Sequence, residues 1–262
     1  MIQLLCPKCK SRLTKADKTM KCENHHSYDL AREGYVNLLL NKTNSGDNLE
    51  MVEARKNFLS SGHYDFLVDY LVDILKNYDD IIDCGCGEGY YTNKISQILN
   101  KNIVAFDISK SAISKAAKKN NNNTYFVGSI YNILIDDNQV DCVLNICAPF
   151  SEKEFIRILK NGGRIVKVIP AKNHLLELKQ FLYDKVYLND ETVKTDNLKE
   201  KNRTYLSRKV TINNQDLMNL FKMTPYYFRT KNEDISRLNN LESLEITFSF
   251  EVIIYEVNDV LK

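Results

Sequence analysis

The chain has 262 residues, room for one large domain and a small appendage, and its 44% apolar and 27% charged residues are those of a soluble globular protein. No apolar run approaches the roughly 20 residues that span a bilayer, and the N-terminus lacks the basic-then-apolar order of a secretory signal. A formal charge of +2 neither demands nor excludes a nucleic-acid partner, while seven cysteines, an odd number, argue against a disulfide framework and for a reducing, cytoplasmic compartment.

The first element is a pair of metal hooks. Cys6-Pro7-Lys8-Cys9 is followed after twelve residues by Cys22-Glu23-Asn24-His25-His26. Cys6, Cys9 and Cys22 with either His25 or His26 suit tetrahedral zinc, and the spacing permits both histidines. The residues between the hooks are too poor in apolar side chains to fold alone, so a metal would supply the missing free energy. Four protein ligands leave no open position for water or substrate, which makes the zinc structural. Residues 1–42 hold eight Lys/Arg against four acids, a net-positive module of the kind that faces phosphate.

Ala31 to Leu40 leads into a polar stretch, Asn41–Asn48, that reads as a linker. These features predict two folding units, a zinc-binding RNA-recognition domain over 1–40 and a larger domain over 41–262. Met51, Ala54, Phe58 and Leu59 recur at helical spacing, and a second amphipathic helix is predicted from about Tyr64 to Asn77. Strands are predicted at 80–84, 103–106, 124–127, 140–146 and 164–169, with helices between them at about 91–100, 110–119 and 151–160. The Asn120–Asn123 run reads as a loop. Residues 171–208 show helical periodicity, and the β-formers of 241–257 predict an antiparallel edge strand. Such alternation indicates a parallel sheet with helices on both faces, and ligands of these sheets bind beyond the carboxyl ends of the strands.

At that place the apolar run Ile81-Ile82 enters Asp83-Cys84-Gly85-Cys86-Gly87-Glu88-Gly89-Tyr90. Glycines at 85, 87 and 89 allow a sharp turn and a close approach to a ligand. Asp107, 22 residues after Gly85, ends the second strand, where a carboxylate binds ribose hydroxyls. A dinucleotide fingerprint needs glycine at 90, and this chain has Tyr90. The Asp-x-Gly-x-Gly-x-Gly form resembles the first motif of S-adenosylmethionine (SAM)-dependent methyltransferases. Ser129, at the end of the third strand, either borders the adenine or caps a loop.

Further motifs narrow the resemblance: Glu33-Gly34-Tyr35-Val36-Asn37-Leu38-Leu39, Gly62-His63-Tyr64, Ala148-Pro149, His174-Leu175-Leu176-Glu177-Leu178-Lys179 and Met223-Thr224-Pro225. With the hooks and the glycine loop, nearly the whole chain resembles the bacterial methyltransferases of guanine N1 in a 23S ribosomal RNA hairpin near the peptide exit tunnel. That family includes a tylosin-resistance branch. The resemblance implies a Rossmann-like α/β methyltransferase fold with a small N-terminal zinc domain, and zinc on Cys6, Cys9, Cys22 and His26. It also implies SAM contacts from Tyr64, the Gly87-Glu88-Gly89 loop and His174, a 23S rRNA hairpin as partner, no membrane, and a homodimer. The chain departs from the family pattern at Asn145-Ile146-Cys147, so no catalytic role carries over to Asn145 or Cys147.

Guanine N1 lies on the Watson–Crick edge, so the base must be unpaired or flipped out to meet the methyl group. It carries a proton that must leave, and Glu177 or His174 are the candidate bases. The cations and aromatics of Lys222–Arg229 suit stacking of an extruded base. The competing readings are a small-molecule methyltransferase with an accessory zinc module and a non-catalytic RNA-binding factor that keeps the pocket.

Overall fold

The computed structural model describes residues 2–41, 49–119 and 122–258. The hooks carry a three-stranded antiparallel sheet of β1 (Thr14–Ala16), β2 (Thr19–Lys21) and β3 (Ser27–Asp29), followed by the short strand β4 (Val36–Asn37). Helices α1 (Leu49–Ser60) and α2 (Asp65–Leu75) precede the alternating part. That part runs β5 (Ile81–Cys84), α3 (Tyr90–Leu99), β6 (Val104–Asp107), α4 (Lys110–Lys119), β7 (Thr124–Val127), β8 (Val140–Ile146), α5 (Glu152–Ile158) and β9 (Leu159–Pro170). It closes with α6 (Leu176–Leu182), β10 (Leu198–Asn213), α7 (Asn214–Lys222), α8 (Asn232–Asn239) and β11 (Ser243–Val257).

One eight-stranded sheet results, in the order β10-β11-β9-β8-β5-β6-β7-β4. Its strands from β9 to β4 run parallel, and β11 and β10 add antiparallel beyond β9. The central strands are nearly continuous apolar runs because both faces of a parallel sheet are covered. Neighbouring residues therefore enter opposite cores. Ile81, Cys142, Val166 and Val252 join one core with α1, α2 and α7, whereas Ile82, Val143, Ile165 and Ile253 join the other with Phe155 of α5. Helix α4 seats Ala112, Ile113, Ala116 and Ala117 on the sheet, and these small side chains bring its backbone close to the glycine loop.

Two expectations need correction. Within 171–208 only α6 is helical, and the strand β10 begins at Leu198 and pairs with β11 to its end. Lys199, Glu200, Lys201 and Arg203 mask the strand pattern there, because β10 is a sheet edge and charged side chains protect edges from pairing with other chains. Second, α5 stops at Ile158, and β9 starts at Leu159 rather than 164.

The small unit over 1–40 packs directly against the larger one. β4 adds to the large sheet beside β7, and Leu38 N–H donates to Val127 O at 3.0 Å. Leu4, Leu5, Leu13, Cys6 and Cys22 lie in the same apolar core as Phe106, Ile135 and Phe155. Leu5 N–H donates to Leu134 O at 2.9 Å, Lys10 Nζ to Asn132 Oδ1 at 2.7 Å, and Arg12 pairs with Asp136 at 3.2 Å. Residues 42–48 of the predicted Asn41–Asn48 linker and the start of the Asn120–Asn123 loop lie outside the described residues. Among the described residues no helix is long and apolar enough to cross a membrane.

Because the two units share a core, a cavity cut in the small one should be felt throughout. Leu13 is 2% exposed, and Leu13→Ala is expected to cost about 2–5 kcal/mol. Urea unfolding followed by far-UV circular dichroism should show the whole α/β signal moving in one transition; an unshifted main transition would mean the units fold independently.

Candidate active site and metal centre

The loop after β5 is built around the end of β6. Gly85 N–H and Cys86 N–H both donate to Phe106 O, at 2.9 and 3.1 Å, and Gly87 N–H donates to the Asp107 Oδ2 at 3.0 Å. Ser109 N–H donates to the other Asp107 oxygen at 2.8 Å, so this carboxylate ties the two strand ends together. Gly85 and Gly89 are required sterically. Both have positive φ, and a Cβ would lie 2.6 Å from the Cβ of Ala148 at Gly85 and of Ala116 at Gly89. Gly89 therefore serves helix packing and does not line the cavity.

A cavity of about 600 Å³ opens at the carboxyl ends of β5, β6, β8 and β9. Its walls include Asp83, Gly85, Gly87, Glu88 and Asp107 on one side, and Cys147, Ala148 and Pro149 on another. Tyr64, His174, Asn189, Tyr226 and Phe250 enclose the remainder, and Arg55 of α1 lies over the glycine loop. Asp83 is buried and accepts from the Thr92 hydroxyl at 2.6 Å; burial pushes its carboxyl up to about 7. Glu88 is 2% exposed, and its Oε1 has no hydrogen-bond partner among the described residues. Burial raises the Glu88 carboxyl, and the Arg55 guanidinium opposes that rise.

His174 and Tyr64 form a buried pair, with the Tyr64 hydroxyl 3.3 Å from Nε2. Nδ1 lies 2.9 Å from Ser249 O and 3.2 Å from Ser249 N. In one neutral tautomer Nδ1 accepts from the Ser249 N–H while Nε2 donates to Tyr64, and in the other both roles reverse. Either way both nitrogens are engaged. Burial pushes the imidazole down to about 3, so it is neutral at physiological pH and a weak base. Glu177, the other candidate base, lies outside the cavity; its two oxygens accept from the Thr247 N–H and hydroxyl at 2.8 and 2.6 Å. Neither residue is set up to take a proton. Ser129 also stays outside the cavity, its hydroxyl accepting from Tyr131 N–H at 3.3 Å in a turn.

The wall of Cys147, Ala148 and Pro149 is held from behind. Asn145, fully buried, donates from Nδ2 to Cys84 O at 2.7 Å and to Pro149 O at 3.1 Å. Lys167, its register partner on β9, donates to Asn145 Oδ1 at 2.5 Å and to Ala148 O at 2.7 Å. Desolvation lowers this lysine to about 8. Cys147 itself takes φ +48, a left-handed conformation unusual for a residue with a side chain. Arg55, Asn189 and Lys167 carried no motif, since each reaches the site through a tertiary contact; Tyr226 lay in the aromatic–cation stretch already noted.

The hooks converge as the cysteine spacing required, and the fold chooses His26. Sγ of Cys6, Cys9 and Cys22 and a ring nitrogen of His26 lie within 4.8 Å of one another. Nδ1 of His26 is 3.5 Å from Cys6 Sγ and 3.4 Å from Cys22 Sγ, and Cys9 Sγ is 3.6 Å from Cys22 Sγ. Zinc bonds of about 2.3 Å to sulfur and 2.0–2.1 Å to nitrogen give tetrahedron edges of about 3.5–3.8 Å. The donor set fits zinc. Hydrogen bonds from Asn24 and Ser11 draw the Cys9 thiol down to about 5, toward the thiolate that a metal needs.

Two outcomes follow from these environments. Since Cys6 and Cys22 sit in the shared core, stripping zinc with a chelator should lower the thermal midpoint of the whole chain, and an unchanged midpoint would exclude that coupling. His174, depressed to about 3 in the folded chain and ordinary near 6.5 when unfolded, favours the folded state above pH 6.5. That contribution is lost as pH falls, because the unfolded chain binds a proton that the folded one refuses. Between pH 8 and pH 5 the loss of unfolding free energy should be about 2 kcal/mol smaller in His174→Gln, read from urea titrations.

Comparison with known proteins agrees with this arrangement. Residues 4–43 match the zinc-ribbon family described as "RlmA, N-terminal", and residues 81–168 match the family described as "Methyltransferase domain". YxjB of Bacillus subtilis, named for 23S rRNA (guanine-N(1)-)-methyltransferase activity, is 32% identical over 95% of both chains. The 23S rRNA (guanine(748)-N(1))-methyltransferase of Streptomyces fradiae is 34% identical over 67% of this chain and 66% of its own. With a ribbon whose four donors fit zinc and a glycine loop at the mouth of an open α/β sheet, the chain belongs to the 23S rRNA (guanine-N1)-methyltransferase family.

Proposed function

We propose that the protein transfers a methyl group from SAM to N1 of a guanine in a 23S rRNA hairpin near the peptide exit tunnel. One observation carries this reading: the Gly85–Gly89 loop, bonded through Gly87 N–H to Asp107, faces the Cys147–Pro149 wall across a single cavity. SAM, when bound, supplies an electrophilic methyl on its sulfonium. Asp107 accepts from the ribose hydroxyls, its oxygens having lone pairs beyond those used by Gly87 and Ser109. Tyr64, His174 and the Gly87-Glu88 backbone complete the cofactor side.

The acceptor base enters from the other side of the cavity, beside Tyr226. Phe228, 59% exposed, is two residues away and offers a ring for stacking. With Glu177 turned away and His174 neutral, the chain's contribution to rate is alignment of acceptor, methyl and sulfur, and the guanine N1 proton leaves to solvent through the open cavity. The net-positive ribbon supplies phosphate contacts, which release counterions and make binding fall steeply with salt. A cytoplasmic location goes with an rRNA substrate, and a homodimer with the family resemblance.

The test is mass mapping of 23S rRNA from cells with the gene, without it, and carrying Asp107→Ala. One additional methyl on a hairpin guanine should appear only with the intact gene. SAM affinity of the Asp107→Ala protein should fall about tenfold or more. A methylated metabolite formed while RNA stays inert would overturn the RNA reading in favour of a small-molecule enzyme.

A further inference from the structure

The cavity has an asymmetric charge complement. Among the described residues that line it, three are carboxylic acids (Asp83, Glu88 and Asp107) and one, Arg55, is a permanent cation. Its histidine is neutral. SAM has the complementary set: a sulfonium, an ammonium, two ribose hydroxyls and a single anion, the carboxylate of its amino-acid end. Burying that anion without a cationic partner would be unfavourable, and among the described residues of the wall Arg55 alone is a permanent cation.

Geometry puts the guanidinium where the amino-acid end must lie. α1 is anchored by buried Val52, Ala54, Phe58 and Leu59, and Arg55, half-buried, projects from it toward the glycine loop. A Cβ built on Gly87 would be 3.8 Å from Arg55 Nη1, ordinary van der Waals contact. Glu88 and Cys147 line the same cavity as Arg55, and its field opposes the rise of both groups. Asp107 is bonded to Gly87 N–H and marks the ribose end. Glu88 follows Gly87 directly and presents a buried oxygen that has no hydrogen-bond partner among the described residues. A carboxyl oxygen in that state suits an ammonium donor.

Resting on the SAM reading above, we infer that Arg55 and Glu88 form a clamp for the zwitterionic amino-acid end of SAM. Arg55 binds the carboxylate with its two-pronged donor set, and Glu88 accepts from the ammonium. Helix α1 thus belongs to the cofactor site although it precedes the methyltransferase motifs in the chain. The clamp also separates SAM from adenosine compounds that carry no amino acid.

The test uses the full-length zinc-loaded protein and three probes in titration calorimetry: SAM, decarboxylated SAM and 5′-methylthioadenosine. The wild-type protein should prefer SAM to decarboxylated SAM by about tenfold to a hundredfold. Arg55→Met should bring that preference close to one while leaving 5′-methylthioadenosine binding unchanged, which also reports that the site is folded. Glu88→Gln should weaken SAM and decarboxylated SAM alike and spare 5′-methylthioadenosine. A preference that survives in Arg55→Met, or a loss shared by all three probes, overturns the assignment of Arg55. Unaltered SAM affinity in Glu88→Gln removes Glu88 from the clamp. A wild-type protein that binds none of the probes overturns the underlying SAM reading instead.

Discussion

The architecture depends on one close approach, between the loop that follows β5 and the loop that follows β8. At Gly85 there is no space for a Cβ, because Ala148 occupies it. Asn145 fixes the same contact from below by bonding Cys84 O and Pro149 O together, and Lys167 adds Ala148 O. These bonds hold two strand ends at a separation that leaves a cavity between the Asp107 side and the Cys147 side. Larger side chains at the contact would drive the loops apart, and loss of the polar links would let the wall move. The buried lysine and asparagine are tolerated because nearly every bond they can make is made.

Electrostatics in the cavity follow from the same burial. Carboxyl groups are raised, the imidazole is depressed to about 3, and the tyrosine hydroxyl of Tyr64 is held protonated. All three shifts have desolvation as their largest cause. A site of this kind prefers neutral side chains, so a charge within it has to be matched by a ligand or a neighbour. Arg55, at the rim and half-buried, keeps its charge with a smaller penalty than a buried group would incur.

The ribbon has a comparable dual character. Its zinc donors are chemically independent of the sheet, yet its apolar residues complete the second core with α5. A piece of about forty residues cannot bury enough surface for itself. Here the metal fixes the hooks and the methyltransferase sheet covers the rest. The ribbon is consequently held in the same frame as the cavity, which a flexible tether could not ensure.

Much of this was legible in the residues alone. The alternation of apolar runs with amphipathic segments dictated the parallel sheet, the glycines and Asp107 marked one wall of the cavity, and the cysteine spacing defined three metal donors. Such features are local: a turn, a strand or a hook is encoded within a few neighbours. Tertiary structure decided what local pattern does not contain. It placed Arg55 and Asn189 on the cavity wall and Lys167 behind it from distant segments, turned Glu177 toward Thr247, and made β10 a strand by pairing it with β11. It selected His26 over His25, whose backbone takes φ +60 in the turn of the second hook. It also neutralised His174, because a protonation state is set by how much water and charge the folded chain leaves around the ring, and that is a property of packing rather than of sequence neighbours.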